Sequence, residues 1–170
     1  PALDRRRIVE RVDTVLMQVG LQGGDRRRYP HEFSGGQQRR IALARALAPD
    51  PALILCDEAT SGLDLSVQAR LLNLFLDLRE SCRAGFLFVS HDLAAVRYLC
   101  SRVAVIYAGQ IVEELPAGEL QRPLHPYTQA LLAAEPHLFS PSTMRPLEGE
   151  PPDPAAFPSG CRFHPRCPEK

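Results

Sequence analysis

Lysine is nearly absent from this chain: of its 20 basic residues only Lys170 is a lysine, and the rest are arginines. Nucleotide phosphates are commonly gripped by a glycine-rich turn whose lysine reaches the β- and γ-phosphates. Lys170 stands in a proline-rich stretch with no helix after it, so these 170 residues hold no such cradle. Tryptophan is also absent, and no apolar run approaches the ~20 residues needed to span a bilayer. Net charge is absent as well, at +0, which excludes a bulk electrostatic pull toward nucleic acid or acidic lipid. The N-terminus has no signal-peptide pattern. Five cysteines are too few and too scattered for a secreted disulfide framework. Cys56, Cys82 and Cys100 lie inside apolar segments, which fits a reducing cytoplasm.

What is present is room for one domain with a sizeable core, with 45% apolar residues. The charge is unevenly spread. Arg5 to Arg7, Arg26 to Arg28 and Arg39-Arg40 make the N-terminal quarter basic. No aromatic residues interleave with these arginines as stacking platforms, so they read as a solvated helix face and a loop. Nucleic acid is not an expected partner. The chain opens at Pro1 in helical character, and we expect a further N-terminal portion to precede it.

Ile8, Val12, Val15, Leu16 and Val19 recur at helical spacing, which predicts an amphipathic helix over Arg5 to Val19 that stops at Gly20. A polar loop follows to Pro30. Ser34 with Gln37 three residues later reads as a capping box, opening a helix that ends before Pro49. Ala52 to Cys56 is a continuous apolar run, the pattern of a strand covered on both faces. A long helix is expected from Leu65 to Arg83, with Leu71, Leu72, Phe75, Leu76 and Leu78 inward. Phe86 to Val89 is the next strand, Asp92 caps a helix to about Cys100, and Val103 to Tyr107 and Gln110 to Glu114 form two strands turning at Ala108-Gly109.

This strand–helix alternation predicts an α/β fold, a mainly parallel sheet flanked by helices. Eleven of the 16 prolines lie from Pro123 onward, so the C-terminal part should be mostly irregular, with one short helix from Tyr127 to Ala134. Such a segment is expected to bury little core, and to lie on another surface or stay mobile. The expected organisation is a helical part over 1–48, a core part over 49–115 and an extension over 116–170.

Four groups carry chemistry. Ser34-Gly35-Gly36-Gln37 puts glycines, a hydroxyl and an amide at a helix N-terminus, where unpaired N–H groups favour an anion; a plain capping box accounts for the same string. Asp57 and Glu58 end a buried strand, the edge at which open α/β sheets bind ligands. Asp57 there can hold Mg²⁺ and Glu58 can polarise an attacking water, while a solvated strand end reads the same way. Asp64 either caps the next helix or reaches across an interface. His91 ends the following strand on the same edge, where it either senses a phosphate or sits at a surface cap.

In this order, the groups resemble the nucleotide-binding domain of ABC transporters. Phe33 to Gln37 is similar to that family's signature motif, Leu53 to Glu58 to its Walker B strand, Ser61 to Asp64 to its D-loop, and His91 to its switch histidine. Phe33, Ala59 and Gly62 depart from the family's usual leucine, proline and alanine. The segment Pro123 to Leu132, and Gly160 to Pro168 with Cys161 and Cys167, resemble the C-terminal extension of ATPases from peptide and nickel importers.

The resemblance implies ATP and Mg²⁺ as ligands, with Asp57 on the metal, Glu58 and His91 catalytic, and Ser34, Gly35, Gly36, Gln37 and Asp64 on nucleotide. It implies a dimer with a second ATP-binding subunit, in which each signature faces nucleotide held by the partner, together with transmembrane permease subunits and, indirectly, an extracytoplasmic solute-binding protein. The place implied is the cytoplasmic face of the inner membrane. Some members hold an iron–sulfur cluster on cysteines of the extension. Cys161 and Cys167 are two where four are usual, so free thiols are the simpler reading. The alternatives are a soluble ABC ATPase outside transport and an inactive remnant.

Overall fold

A computed structural model describes residues 4–134 and 149–170. The expected irregular segment over 135–148, like the first three residues, lies outside the described part. The chain divides into two compact units, Pro1–His91 and Asp92–Lys170.

In the first unit, Asp4 caps helix α1 (Arg5–Gln18), which buries Val15 and Leu16 and ends where Gly20 turns left-handed at φ 73. Two 3₁₀ turns, Gly23–Arg27 and Pro30–Glu32, occupy the expected loop. Helix α2 (Gly35–Leu47) follows. The basic quarter has a structural use. Arg11 of α1 donates to the carbonyls of Leu47 and Ala48 at 2.7 and 3.0 Å, and Arg40 of α2 donates to Val19 O at 2.8 Å. Each helix thus satisfies carbonyls at the other's C-terminal end, which would otherwise lack partners. Arg26 pairs with Asp13, and the Arg28 guanidinium lies 4.3 Å from the ring centre of Phe33, a residue buried in the core.

Strands β1 (Leu53–Asp57) and β2 (Gly85–Val89) pair in parallel, Leu53 opposite Gly85 and Asp57 opposite Val89. Helix α3 (Leu65–Ser81) covers one face, with Phe75 edge-on to Phe86 and Phe88 at 6.1 and 5.3 Å between ring centres. The expectation of a strand covered on both faces is corrected. Ile54 and Cys56 are buried, but Leu53, Leu55, Leu87 and Val89 on the other face are 45–63% exposed. Alternating side chains point to opposite faces, and among the described residues α3 supplies cover for one. The inward face of α3 is corrected too: Leu71, Leu74, Phe75 and Leu78 are buried, while Leu72 and Leu76 are half-buried. A stripe at i, i+3, i+4, i+7 starting from Leu71 selects those four.

The second unit begins with α4 (Leu93–Leu99), capped by Asp92, whose carboxylate accepts from Ala95 N at 3.0 Å. Strands β3 (Arg102–Tyr107) and β4 (Gln110–Pro116) form an antiparallel hairpin separate from the parallel pair. Ala108 and Gly109 are both left-handed, at φ 48 and 79, the backbone a two-residue hairpin turn requires. Helix α5 (Pro126–Ala133) and the segment after residue 149 pack here. The expected coreless extension is corrected. Leu120 and Leu132 join Leu93, Val105 and Leu115 in one cluster. Phe163 is fully buried, its ring 5.1 to 5.8 Å from those of Tyr107, Tyr127 and His125. Arg162 donates to Ala108 O, and Glu113 of β4 accepts from Leu124 N at 2.7 Å. Few apolar residues suffice because one aromatic ring buries a large area.

Candidate functional site: a helix N-terminus and two strand ends

At the start of α2, Ser34 Oγ accepts from Gln37 N at 3.3 Å and Gln37 Oε1 accepts from Ser34 N at 3.0 Å, a reciprocal capping box. The N–H groups of Gly35 and Gly36 therefore lead the helix with no carbonyl one turn behind them. A Cβ on Gly36 would come within 2.6 Å of Val67 Cγ1, so glycine allows α3 to approach α2 here, whereas Gly35 faces open space. Beside this end lies an open cavity of about 410 Å³ lined by Ser34, Gly36, Gln37, Arg40 and Arg70 among others. Two guanidinium groups, a positive helix end and free N–H groups make a donor set suited to phosphate oxygens. From the sequence Arg40 reads only as part of a solvated basic face, and Arg70 carries no signal. Only the long-range packing of α2 against α3 brings them to one cavity.

The second arrangement stands at the C-terminal ends of β1 and β2. Parallel register brings both strands to an end together. Asp57 is exposed at the last position of β1. Glu58 then adopts φ 47, uncommon for a residue with a side chain. Its N–H donates to Val89 O at 2.9 Å, and its carbonyl accepts from both the N–H and the hydroxyl of Ser61, at 3.2 and 2.9 Å. So fixed, its carboxylate lies 2.8 Å from His91 Nδ1. Both side chains reach solvent, His91 81% exposed and Glu58 40%. The structure thus joins two residues 33 positions apart, and separately pairs Ser34 with Gln37.

Asp64 caps α3, its Oδ1 accepting from the Ser66 hydroxyl at 2.7 Å and Val67 N at 2.9 Å. These two bonds hold its carboxyl below the usual aspartate value. Of the two readings open from sequence, capping is the one these bonds describe.

Mg²⁺ binds through one or two carboxylates with waters and substrate phosphates completing its shell, and the exposed carboxylate of Asp57 fits that demand. The extension shown here offers Cys161 and Cys167, two of the four cysteines that an iron–sulfur cluster usually takes. Cys161 is exposed and Cys167 half-buried, both are free thiols, and among the described residues no group of three or more His, Cys, Asp or Glu side chains converges. No helix among the described residues is long and apolar enough to cross a membrane.

Comparison with known proteins gives concordant results. Residues 4–61 match the ABC transporter family model, and residues 112–170 match the model of the oligopeptide/dipeptide transporter C-terminal region. A probable peptide ABC transporter ATP-binding protein of Sinorhizobium fredii is 51% identical, over 98% of this chain and 48% of its own length. The di/tripeptide transport ATP-binding protein DppF of Pseudomonas aeruginosa is 48% identical, over 98% of this chain and 53% of its own. The oligopeptide transport ATP-binding protein OppF of Escherichia coli is 46% identical, over 99% and 52%. The chain thus spans about half the length of the curated relatives it matches. Its fold is that of a solved ATP-binding cassette of an ABC transporter, MJ1267 in its ADP conformation, with a TM-score of 0.66 at 24% identity over 79% of this chain and 52% of that one. By these matches, residues 4–61 are similar to the ABC transporter family and residues 112–170 to the oligopeptide/dipeptide transporter C-terminal region, in a chain about half identical to peptide-transport ATP-binding proteins.

Proposed function

We propose that this sequence forms part of the ATP-hydrolysing subunit of an importer for peptides. The observation that carries the reading is the contact of Glu58 with His91 at the ends of two parallel strands, beside the exposed carboxylate of Asp57. Glu58 acts as general base toward water, and His91 orients that water against the terminal phosphate. Asp57 holds Mg²⁺, which neutralises charge on the phosphates when bound. Gly35 and Gly36 direct their N–H groups, with Ser34 and Gln37 framing them, to the γ-phosphate of nucleotide held by a second ATP-binding subunit. Closure of that dimer drives permease subunits between two access states, at the cytoplasmic face of the membrane. Peptides as cargo rest on the names of the relatives and on the C-terminal region at 112–170.

The test is ATP hydrolysis by the full-length protein carrying this sequence, assembled with its permease. Glu58→Gln should lower kcat by about 10²–10⁴-fold while ATP binding persists. Unchanged turnover in that variant rejects Glu58 as the base. The 170-residue chain by itself, whose sole lysine is Lys170, should show no magnesium-dependent ATP binding in a calorimetric titration. Tight binding there would show that the residues present grip nucleotide unaided.

A further inference from the structure

The geometry points to Ser61 as a positioning residue for the Glu58 carboxylate. The inference deepens the proposed hydrolytic function and rests on that reading. Glu58 sits in left-handed backbone, a conformation that glycine adopts freely and glutamate does not. Nothing in its own side chain favours that state, so neighbouring contacts must hold it. Three are present. Val89 O takes the Glu58 N–H at 2.9 Å and ties the residue to the end of β2. The Glu58 carbonyl then receives two donors from one residue, the Ser61 N–H at 3.2 Å and the Ser61 hydroxyl at 2.9 Å.

The backbone bond belongs to any tight turn of this kind. The hydroxyl bond is the contribution of serine. It fixes the plane of the peptide following Glu58, and with it the direction of the Cα–Cβ bond. That direction is what lets the carboxylate reach His91 Nδ1 at 2.8 Å. Ser61 is half-buried and has its side chain turned back toward the chain at Glu58. Gly62, left-handed at φ 70, closes the same turn. A relaxed Glu58 would swing its carboxylate away from the histidine without leaving the surface. A displacement of about 1 Å in a catalytic group can cost about 10²-fold in rate.

Two measurements test this. In the full-length protein, Ser61→Ala should lower kcat for ATP hydrolysis by about tenfold or more, with KM for ATP within about twofold, and Ser61→Thr, which keeps the hydroxyl, should restore most of the rate. In the 170-residue chain, the nitrogen-15 signal of His91 Nδ1 reports its contact with the carboxylate. Ser61→Ala should move it to the position seen in Glu58→Gln, and Ser61→Thr should leave it in place. A His91 signal and a kcat that Ser61→Ala leaves unchanged would overturn the inference, as would equal loss in the alanine and threonine variants. If the full-length protein hydrolyses no ATP, the functional reading fails, while the His91 signal still decides whether Ser61 positions Glu58.

Discussion

The strand ends bearing Glu58 and His91 and the extension bearing Phe163 are held by opposite means. The strand ends are exposed, polar and partly left-handed, fixed by a handful of hydrogen bonds. The extension is rich in proline and poor in regular structure, yet it is fixed by one buried ring among three others. Reactive groups must meet solvent and ligand, so burial cannot hold them and directional bonds must. The extension also hydrogen-bonds the hairpin, from Arg162 to Ala108 O and from Leu124 N to Glu113, but with little regular backbone pairing of its own it relies more on apolar area.

Removing each support should break the regions differently. Phe163→Ala has the largest expected effect, about 3–5 kcal/mol lost from the second unit, read by denaturation and by faster amide exchange in Tyr107 and Tyr127. The His91 signal should not move, and if it does, the two regions are coupled. Gly62→Ala comes next. A Cβ there meets nothing within 4 Å, so the cost is the left-handed backbone alone, about 1–2 kcal/mol. Denaturation midpoints with an unchanged urea dependence would measure it, and a neutral result would show that the turn relaxes. The smallest effect is the pH response of the α3 cap. The Asp64 carboxyl titrates below its ordinary 3.8, so the cap is at full strength above about that pH and is lost as pH falls through the lower folded value. Amide shifts of Ser66 and Val67 followed on acidification should show a transition whose midpoint lies below pH 3.8, and a midpoint above it would contradict the Ser66 and Val67 bonds.

Much of the frame is legible because it is local. Ser34 with Gln37, Asp92 before Leu93, and Gly20 after Val19 each act within one turn of chain, and the structure places caps and a helix end at all three. The apolar run at Ala52 to Cys56 marks a strand for the same reason. Its exposed second face was not legible, because alternation tells which side chains share a face and not whether anything covers it. Leu74 was missed as a core residue because Leu72 and Leu76 are equally apolar neighbours, although the stripe at i, i+3, i+4, i+7 begun at Leu72 meets Arg79 while the one begun at Leu71 stays apolar and includes Leu74.

The sequence by itself determined where helices begin, which residues end the strands, and that the reactive types Asp57, Glu58 and His91 fall on one edge. Capping, turn chemistry and side-chain period fix these at short range. The tertiary structure alone decided that Glu58 and His91 touch at 2.8 Å, that Arg40 and Arg70 share a cavity with Ser34, and that Phe163 is core. Those outcomes depend on strand register and on packing between residues far apart in the chain, and no local rule specifies either.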